Sequence, residues 1–61
     1  MKDKDLLQIL KKNGWSLARI SGSHHVLQKG GKTIVVPIHG KDVPVGLLNR
    51  ILKETGLKSS F

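Results

Sequence analysis

The sequence predicts an α+β domain in which two helices cover one face of a three-stranded antiparallel sheet. Two patterns carry this prediction: a helical spacing of leucine and isoleucine towards each end, and short β-prone runs separated by glycine pairs in the middle. The predicted order of elements is α-β-β-β-α. We expect the 61 residues to form one domain, with a loose tail at about residues 58–61. The second face of such a sheet stays free, and a small domain can place a functional site there.

The N-terminal segment, residues 3–13, is predicted to form the first helix. Its apolar residues recur at the spacing of one helix face: Leu6, Leu7, Ile9 and Leu10. Either Asp3 or Asp5 can cap the N-terminal end of this helix or favour its positive dipole. Gly14 ends the helix because glycine readily adopts the left-handed conformation, and Trp15 can then fold back onto the last turn.

Three short strands are predicted between the helices: residues 15–20, 24–29 and 33–38. The pairs Gly22-Ser23 and Gly30-Gly31 separate them, and glycine supplies the positive φ that tight hairpin turns require. The last run is mostly β-branched, which favours a strand. The sequence therefore predicts an antiparallel meander.

The second helix is predicted to begin at Pro44 and to end at Gly56. Proline fits the first turn because its missing N–H is not needed there. The apolar residues again share one face: Val45, Leu48, Ile51 and Leu52. Glycine ends this helix as it ends the first one.

The composition indicates a small basic protein. Its formal net charge is +7, from eleven Lys and Arg against four Asp and Glu, so most of this charge must face solvent or a partner. A polyanion such as RNA is one such partner, and solubility alone is the plain alternative. The absence of cysteine excludes a disulfide framework and a Cys-rich zinc site. No apolar run approaches the roughly 20 residues of a membrane span and no signal-peptide pattern is present, so we expect a cytoplasmic protein.

The segment Gly22-Ser23-His24-His25 is the motif that indicates chemistry. An imidazole can accept or release a proton near neutral pH. Cleavage of RNA by its own 2′-hydroxyl needs a base for that proton and an acid for the leaving 5′-oxygen. Because successive strand residues point to opposite faces, His24 and His25 should diverge, and we expect only one of them to act on a given phosphate.

Other residues near this motif can bind or stabilise a phosphate. Arg19, Lys29 and Lys32 are candidates for stabilising its negative charge, and along a regular strand Arg19 shares a face with Leu17. The backbone of the Gly22-Ser23 turn permits close approach of a phosphate oxygen. The sequence shows no carboxylate pair suited to Mg²⁺, so it predicts cleavage without metal or other cofactor.

Other interpretations remain open from the residues alone. His24, His25 and His39 together can bind a transition metal, but their diverging directions and the lack of a nearby carboxylate argue against a metal site. A double-stranded-RNA-binding module without catalytic activity would have the same charge. A protein-interaction module would use this charge to bind an acidic partner. The imidazoles beside the glycine turn favour catalysis over binding alone.

The order of several short motifs resembles the HicA family of toxins over about residues 3–57. These motifs are Asn13-Gly14-Trp15, Gly22-Ser23-His24-His25, Val35-Val36-Pro37-Ile38-His39-Gly40, Val43-Pro44-Val45-Gly46 and Ile51-Leu52-Lys53-Glu54-Thr55-Gly56-Leu57. The resemblance implies a fold similar to double-stranded-RNA-binding domains and ribonuclease activity on messenger RNA. It also implies inhibition by a HicB-like antitoxin, which we expect to bury the catalytic histidine.

The resemblance further implies which residues act. In the family the histidine of the Gly-Ser-His motif is catalytic; it corresponds to His24, and Gly22 belongs to the same motif. Some members carry Gly-Ser-Asn-His, which places the histidine at the position of His25, so His25 is the alternative. His39 corresponds to a histidine that is frequent after the third strand, and no catalytic role is predicted for it.

Overall fold

Two helices and three strands make up the part of the chain that the computed structural model describes, residues 1–57. In chain order they are α1 (Asp3–Lys12), β1 (Ser16–Ser21), β2 (His24–Lys29), β3 (Lys32–Pro37) and α2 (Val45–Thr55). The strands pair antiparallel in the order β1-β2-β3. This confirms the predicted α+β class and element order, and it is consistent with the fold of double-stranded-RNA-binding domains. The predicted loose tail, at about residues 58–61, lies outside the described residues.

Both helices end at a glycine in the left-handed conformation, as predicted. After α1, Gly14 has φ 93°, and the N–H of Trp15 donates to the carbonyl of Leu10 at 3.0 Å. After α2, Gly56 has φ 74°, and the N–H of Leu57 makes an equivalent 3.0 Å bond. This arrangement satisfies carbonyl groups that the helix leaves unpaired, and it folds the buried Trp15 and Leu57 back onto the core. Neither helix is long and apolar enough to cross a membrane.

The hydrophobic core lies on one face of the sheet. The sheet contributes Leu27, Ile34 and Val36, all buried. The rest of the buried cluster comes from the helices and connecting segments: Leu6, Leu10, Trp15, Val43, Ile51, Leu52 and Leu57. We call this side of the sheet the helix-covered face and the opposite side the open face. All six residues of the edge strand β1 are exposed.

Asp3 fixes the start of α1 against the loop that follows β3. The predicted side-chain cap is absent, but Asp3 and Asp5 both lie in the first turn of α1, where they favour the positive end of the helix dipole as predicted. The carboxylate of Asp3 also reaches across the molecule to this loop. Its Oδ2 accepts hydrogen bonds from the backbone N–H groups of His39, Gly40 and Lys41 at 2.6, 2.9 and 3.3 Å. Burial raises the pKa of Asp3, but the N–H groups of these three residues and of Lys4 outweigh burial and hold that pKa below its ordinary value.

Candidate functional site

The open face consists of alternate residues from the three strands. Cross-strand pairing places two rows of side chains next to each other on it: Ser21, His24 and Pro37, then Arg19, Val26 and Val35. The core clusters on the other side of the sheet, and Val35 on this side is 47% exposed although it is apolar. This surface is therefore available to a ligand.

Strand β2 separates the two neighbouring histidines, in agreement with the predicted alternation. His24 is exposed on the open face, whereas His25 is half-buried on the helix-covered face, paired with the buried Val36. Nδ1 of His25 lies 3.3 Å from the carbonyl oxygen of Ser23. A carbonyl can only accept, so this hydrogen bond requires the proton to be on Nδ1. His25 is thus tied to the backbone of the turn, and His24 presents its imidazole to solvent.

A β-bulge in β1 brings Arg19 to the face of His24. The register shifts between Leu17 and Arg19, which leaves Ala18 as an extra residue in β1. The prediction that Leu17 and Arg19 share a face is therefore wrong, because one extra residue reverses the faces of the side chains that follow. Arg19 now pairs with Val26 on the open face. It is a diagonal neighbour of His24, at a distance of about 7–8 Å.

The Gly22-Ser23 turn leads directly into β2. Gly22 has φ 60°, in the left-handed region that favours glycine. A Cβ at this position would meet no protein atom within 4 Å, so the backbone of the turn is open to a ligand. The carbonyl of Ser23 accepts a hydrogen bond from the N–H of Ile38 at 2.7 Å, which holds the turn against the end of β3.

Lys29 and Lys32 lie at the far end of the sheet from His24. They form a direct pair beside the second hairpin turn, and Nζ of Lys29 donates to the carbonyl of Asn13 at 2.7 Å. Lys29 and His24 are at opposite ends of the six-residue strand β2, about 17 Å apart, and they point to opposite faces. The structure does not bring the two lysines to a phosphate at His24. Of the three predicted cations, only Arg19 lies next to that position.

His39 lies close to the Gly22-Ser23 turn, which sequence reasoning did not anticipate. Beyond the end of β3, the N–H of Ile38 donates to the carbonyl of Ser23, so the next residue, His39, follows directly beside this turn. His39 lines a surface pocket with Pro37, Val43 and Leu47. His39 is exposed, and its N–H donates to the carboxylate of Asp3.

One signal in the sequence could have predicted this proximity. Gly30-Gly31 forms a two-residue turn, so Lys29 must pair with Lys32, and counting outward along both strands reaches Gly22 and His39. The count depends on the absence of a bulge in either strand. β2 and β3 meet that condition, whereas β1 does not.

Residues 1–57 contain no group of three or more His, Cys, Asp or Glu side chains that could hold a metal ion. A surface pocket is present at the other end of the sheet from His24, lined by Trp15, Lys32, Thr33, Ile34, Lys53 and Glu54. Its position separates it from the motif that indicates chemistry. The open face and the adjoining turn therefore form the candidate site.

Comparison with known proteins identifies a matching family. No curated protein matches this chain. The family model described as the HicA toxin of bacterial toxin-antitoxin matches residues 4–57, which include the three strands, the Gly22-Ser23 turn and nearly all of both helices. The chain therefore belongs to the HicA toxin family of bacterial toxin-antitoxin systems.

Proposed function

We propose that this HicA toxin is a metal-independent endoribonuclease that cleaves messenger RNA, with His24 as a proton-transfer catalyst. The observation that carries the proposal is the placement of an exposed imidazole beside Arg19 on the open face. An accessible backbone turn at Gly22 adjoins His24. Membership of a toxin family generally known as ribonucleases supports RNA as the substrate.

The reaction uses the 2′-hydroxyl of RNA as its nucleophile. The 2′-oxygen bonds to phosphorus while a base accepts its proton, and the P–O5′ bond breaks while an acid protonates the leaving 5′-oxygen. The products are a 2′,3′-cyclic phosphate and a free 5′-hydroxyl. His24 performs one of these two proton transfers, and such a transfer contributes about 10²–10⁴-fold to a rate.

Arg19 and the turn stabilise the phosphate during the reaction. The guanidinium of Arg19 offers N–H donors to the two oxygens that carry the developing negative charge. The backbone N–H groups at Gly22 and Ser23 can add hydrogen bonds, because no side chain blocks access to Gly22. Lys29 and Lys32 contact RNA away from the cleaved phosphate.

The reaction needs no metal, because imidazole and guanidinium groups supply both the proton transfer and the positive charge. Two of the four carboxylates are also already occupied. Asp3 binds the loop after β3, and Glu54 forms an ion pair with Arg50 at 3.2 Å. The net charge of +7 attracts the RNA backbone to the whole surface.

A toxin of this kind implies an antitoxin partner. A HicB-like antitoxin that covers the open face inhibits the toxin by burying His24 and excluding RNA. The positive charge of the toxin favours an acidic surface on this partner. Since the proposed substrate is messenger RNA, the proposed place of action is the cytoplasm.

The test is to incubate wild-type, His24→Ala and His25→Ala proteins with single-stranded RNA in EDTA. We expect wild-type protein to cleave and His24→Ala to be slower by about 10²–10⁴-fold, because it lacks one proton-transfer group. His25→Ala is the matched control, since it removes an imidazole from the other face of the same strand. Circular dichroism verifies that each variant is folded.

Loss of cleavage in His25→Ala alone would transfer the catalytic role to His25. Folded wild-type protein that leaves RNA intact would overturn the nuclease proposal. If that protein still binds RNA with an affinity that falls steeply as salt rises, the double-stranded-RNA-binding function takes its place.

A further inference from the structure

We infer that His39 supplies the second proton transfer, acting on the same phosphate as His24. This inference rests on the function proposed above, in which His24 supplies only one of the two transfers. The cleavage needs both a base for the 2′-hydroxyl and an acid for the 5′-oxygen.

The register of β2 and β3 places His39 next to His24. His24 pairs directly with Pro37, and the ladder continues through the 2.7 Å hydrogen bond from Ile38 to Ser23. His39 follows Ile38 directly, so its backbone lies near the start of β2, where His24 is. Ile38 packs against the core, whereas His39 is exposed and lines a surface pocket with Pro37, the strand partner of His24, and with Leu47 of α2. A phosphate at the Gly22-Ser23 turn is within reach of both imidazoles.

The backbone of His39 is held in place by Asp3. One carboxylate oxygen of this buried residue accepts hydrogen bonds from three successive N–H groups, and the one from His39 is the shortest at 2.6 Å. Hydrogen bonds to an ionised carboxylate are stronger than those between neutral groups. The exposed imidazole therefore extends from a fixed backbone, as expected for a group that must meet a reacting atom. Asp3 acts as a positioning residue.

The other polar groups around the turn are less suited to this role. The guanidinium of Arg19 does not give up its proton in proteins. His25 lies on the helix-covered face, and its Nδ1 is engaged with the carbonyl of Ser23. Lys29 and Lys32 are at the far end of the sheet. Apart from His24, His39 is the described residue beside the turn that has an exposed imidazole.

The division of roles balances the protons. One imidazole enters the reaction neutral and accepts the 2′-hydroxyl proton, while the other enters protonated and donates to the 5′-oxygen as the P–O5′ bond breaks. Each imidazole then has the protonation state that the other had at the start. Proton exchange with solvent restores both.

The experiment compares two chemically matched RNA oligonucleotides that contain a single cleavable linkage. In one of them sulfur replaces the bridging 5′-oxygen, and a thiolate leaves without protonation. Cleavage rates are measured at saturating protein for wild type, His24→Ala, His39→Ala and His39→Gln. The glutamine variant keeps a polar side chain that can hydrogen-bond to a phosphate, but it cannot transfer a proton. Asn49→Ala, at an exposed position on α2, is the control for an unrelated substitution.

We expect the His24 variant and both His39 variants to cleave the oxygen substrate about 10²–10⁴-fold more slowly than wild type. Sulfur should restore cleavage to the variants of only one of these two histidines. That histidine is then the general acid. The inference would be overturned if the His39 variants cleaved the oxygen substrate at a rate within about threefold of the wild-type rate. Such a difference is well below the contribution of a general acid or base. The inference would also be overturned if sulfur restored cleavage to the variants of both histidines or to the variants of neither. A wild-type protein that cleaves neither substrate would overturn the proposed function itself, which distinguishes the two failures.

Discussion

Single residues acquire a role in this protein through the face of the sheet on which they lie. His24 and His25 are adjacent in sequence, yet one is open to solvent and the other is half-buried and bonded to Ser23. Arg19 reaches the face of His24 only because Ala18 is an extra residue in β1. Since bulges occur frequently next to active sites, where they redirect side chains, this one supports a role for Arg19.

Replacing Arg19 by alanine should impair catalysis more than RNA binding. We expect Arg19→Ala to lower the cleavage rate at saturating protein by about 10²–10³-fold, comparable to the loss of one preorganised donor to a developing oxyanion. Arg50→Ala is the matched control, because it removes the chain's other arginine from an exposed position on α2. The measurement is the cleavage rate at saturating protein, together with RNA affinity at constant salt. Equal rates for Arg19→Ala and Arg50→Ala would exclude Arg19 from the site.

Part of this site could be predicted from local sequence patterns. The divergence of His24 and His25 follows from strand alternation alone, and the glycine pairs mark both hairpin turns. The face of the sheet on which Arg19 lies could not be predicted. The bulge selects one of two possible registers of β1, and tertiary structure determines which of them forms. The contact of Asp3 with His39 joins residues 36 positions apart, and no local pattern encodes it.

At the scale of elements, the helices are defined mainly by how they end. Gly14 and Gly56 both adopt positive φ, and the residue after each one packs into the core. These positions could be predicted because glycine is the residue that enters the left-handed region without steric cost. The start of α1 could be predicted only in part: Asp3 and Asp5 lie in its first turn as expected, but Asp3 bonds to a distant loop instead of capping the helix.

Two glycines of α2 should respond oppositely to the same substitution. Gly56 follows the helix with φ 74° and Gly46 is the second residue of the helix, while a Cβ at either position would meet no atom of a more distant residue within 4 Å. We therefore expect Gly56→Ala to lower the free energy of unfolding by about 1–2 kcal/mol because of the left-handed backbone. Gly46→Ala should raise it by up to about 1 kcal/mol, since alanine loses less conformational freedom in a helix. Urea unfolding measures both values, and destabilisation of equal size at the two sites would contradict this explanation.

At the scale of the whole molecule, the N-terminus and the loop after β3 form one connected unit. The N–H of Val43 donates to the carbonyl of Met1 at 2.9 Å, and Lys2 forms an isolated bridge with Asp42. Asp3 adds the three hydrogen bonds to the start of this loop. A domain of this size has a small core, so such long-range ties matter for its stability. They also connect α1 to the loop that positions His39 beside the turn.

The charge of Asp3 should make the stability of the protein depend on pH in the acid range. The pKa of Asp3 in the folded protein lies below its ordinary value, so the ionised carboxylate favours the folded state. This contribution is fully present above the unfolded pKa of about 3.9, and it is lost as pH falls through the lower folded pKa. Asp3→Asn keeps the shape of the side chain but removes its charge. We therefore expect this variant to unfold at lower urea concentration than wild type at pH 7, and the difference to shrink below about pH 4.

Asp5→Asn is the control for this last prediction, because it removes a carboxylate from an exposed position in the same first turn of α1. It lacks the hydrogen bonds to the loop, so its effect at pH 7 should be smaller than that of Asp3→Asn. The cleavage rate of Asp3→Asn tests whether the hydrogen bonds of Asp3 to the loop matter for function. This rate is measured without urea, at a pH at which the variant is folded. If Asp3 holds His39 in place, the rate falls while Asp5→Asn cleaves as wild type. If wild type and Asp3→Asn differ in stability by the same amount at pH 7 and at pH 3, the charge of Asp3 does not hold the loop.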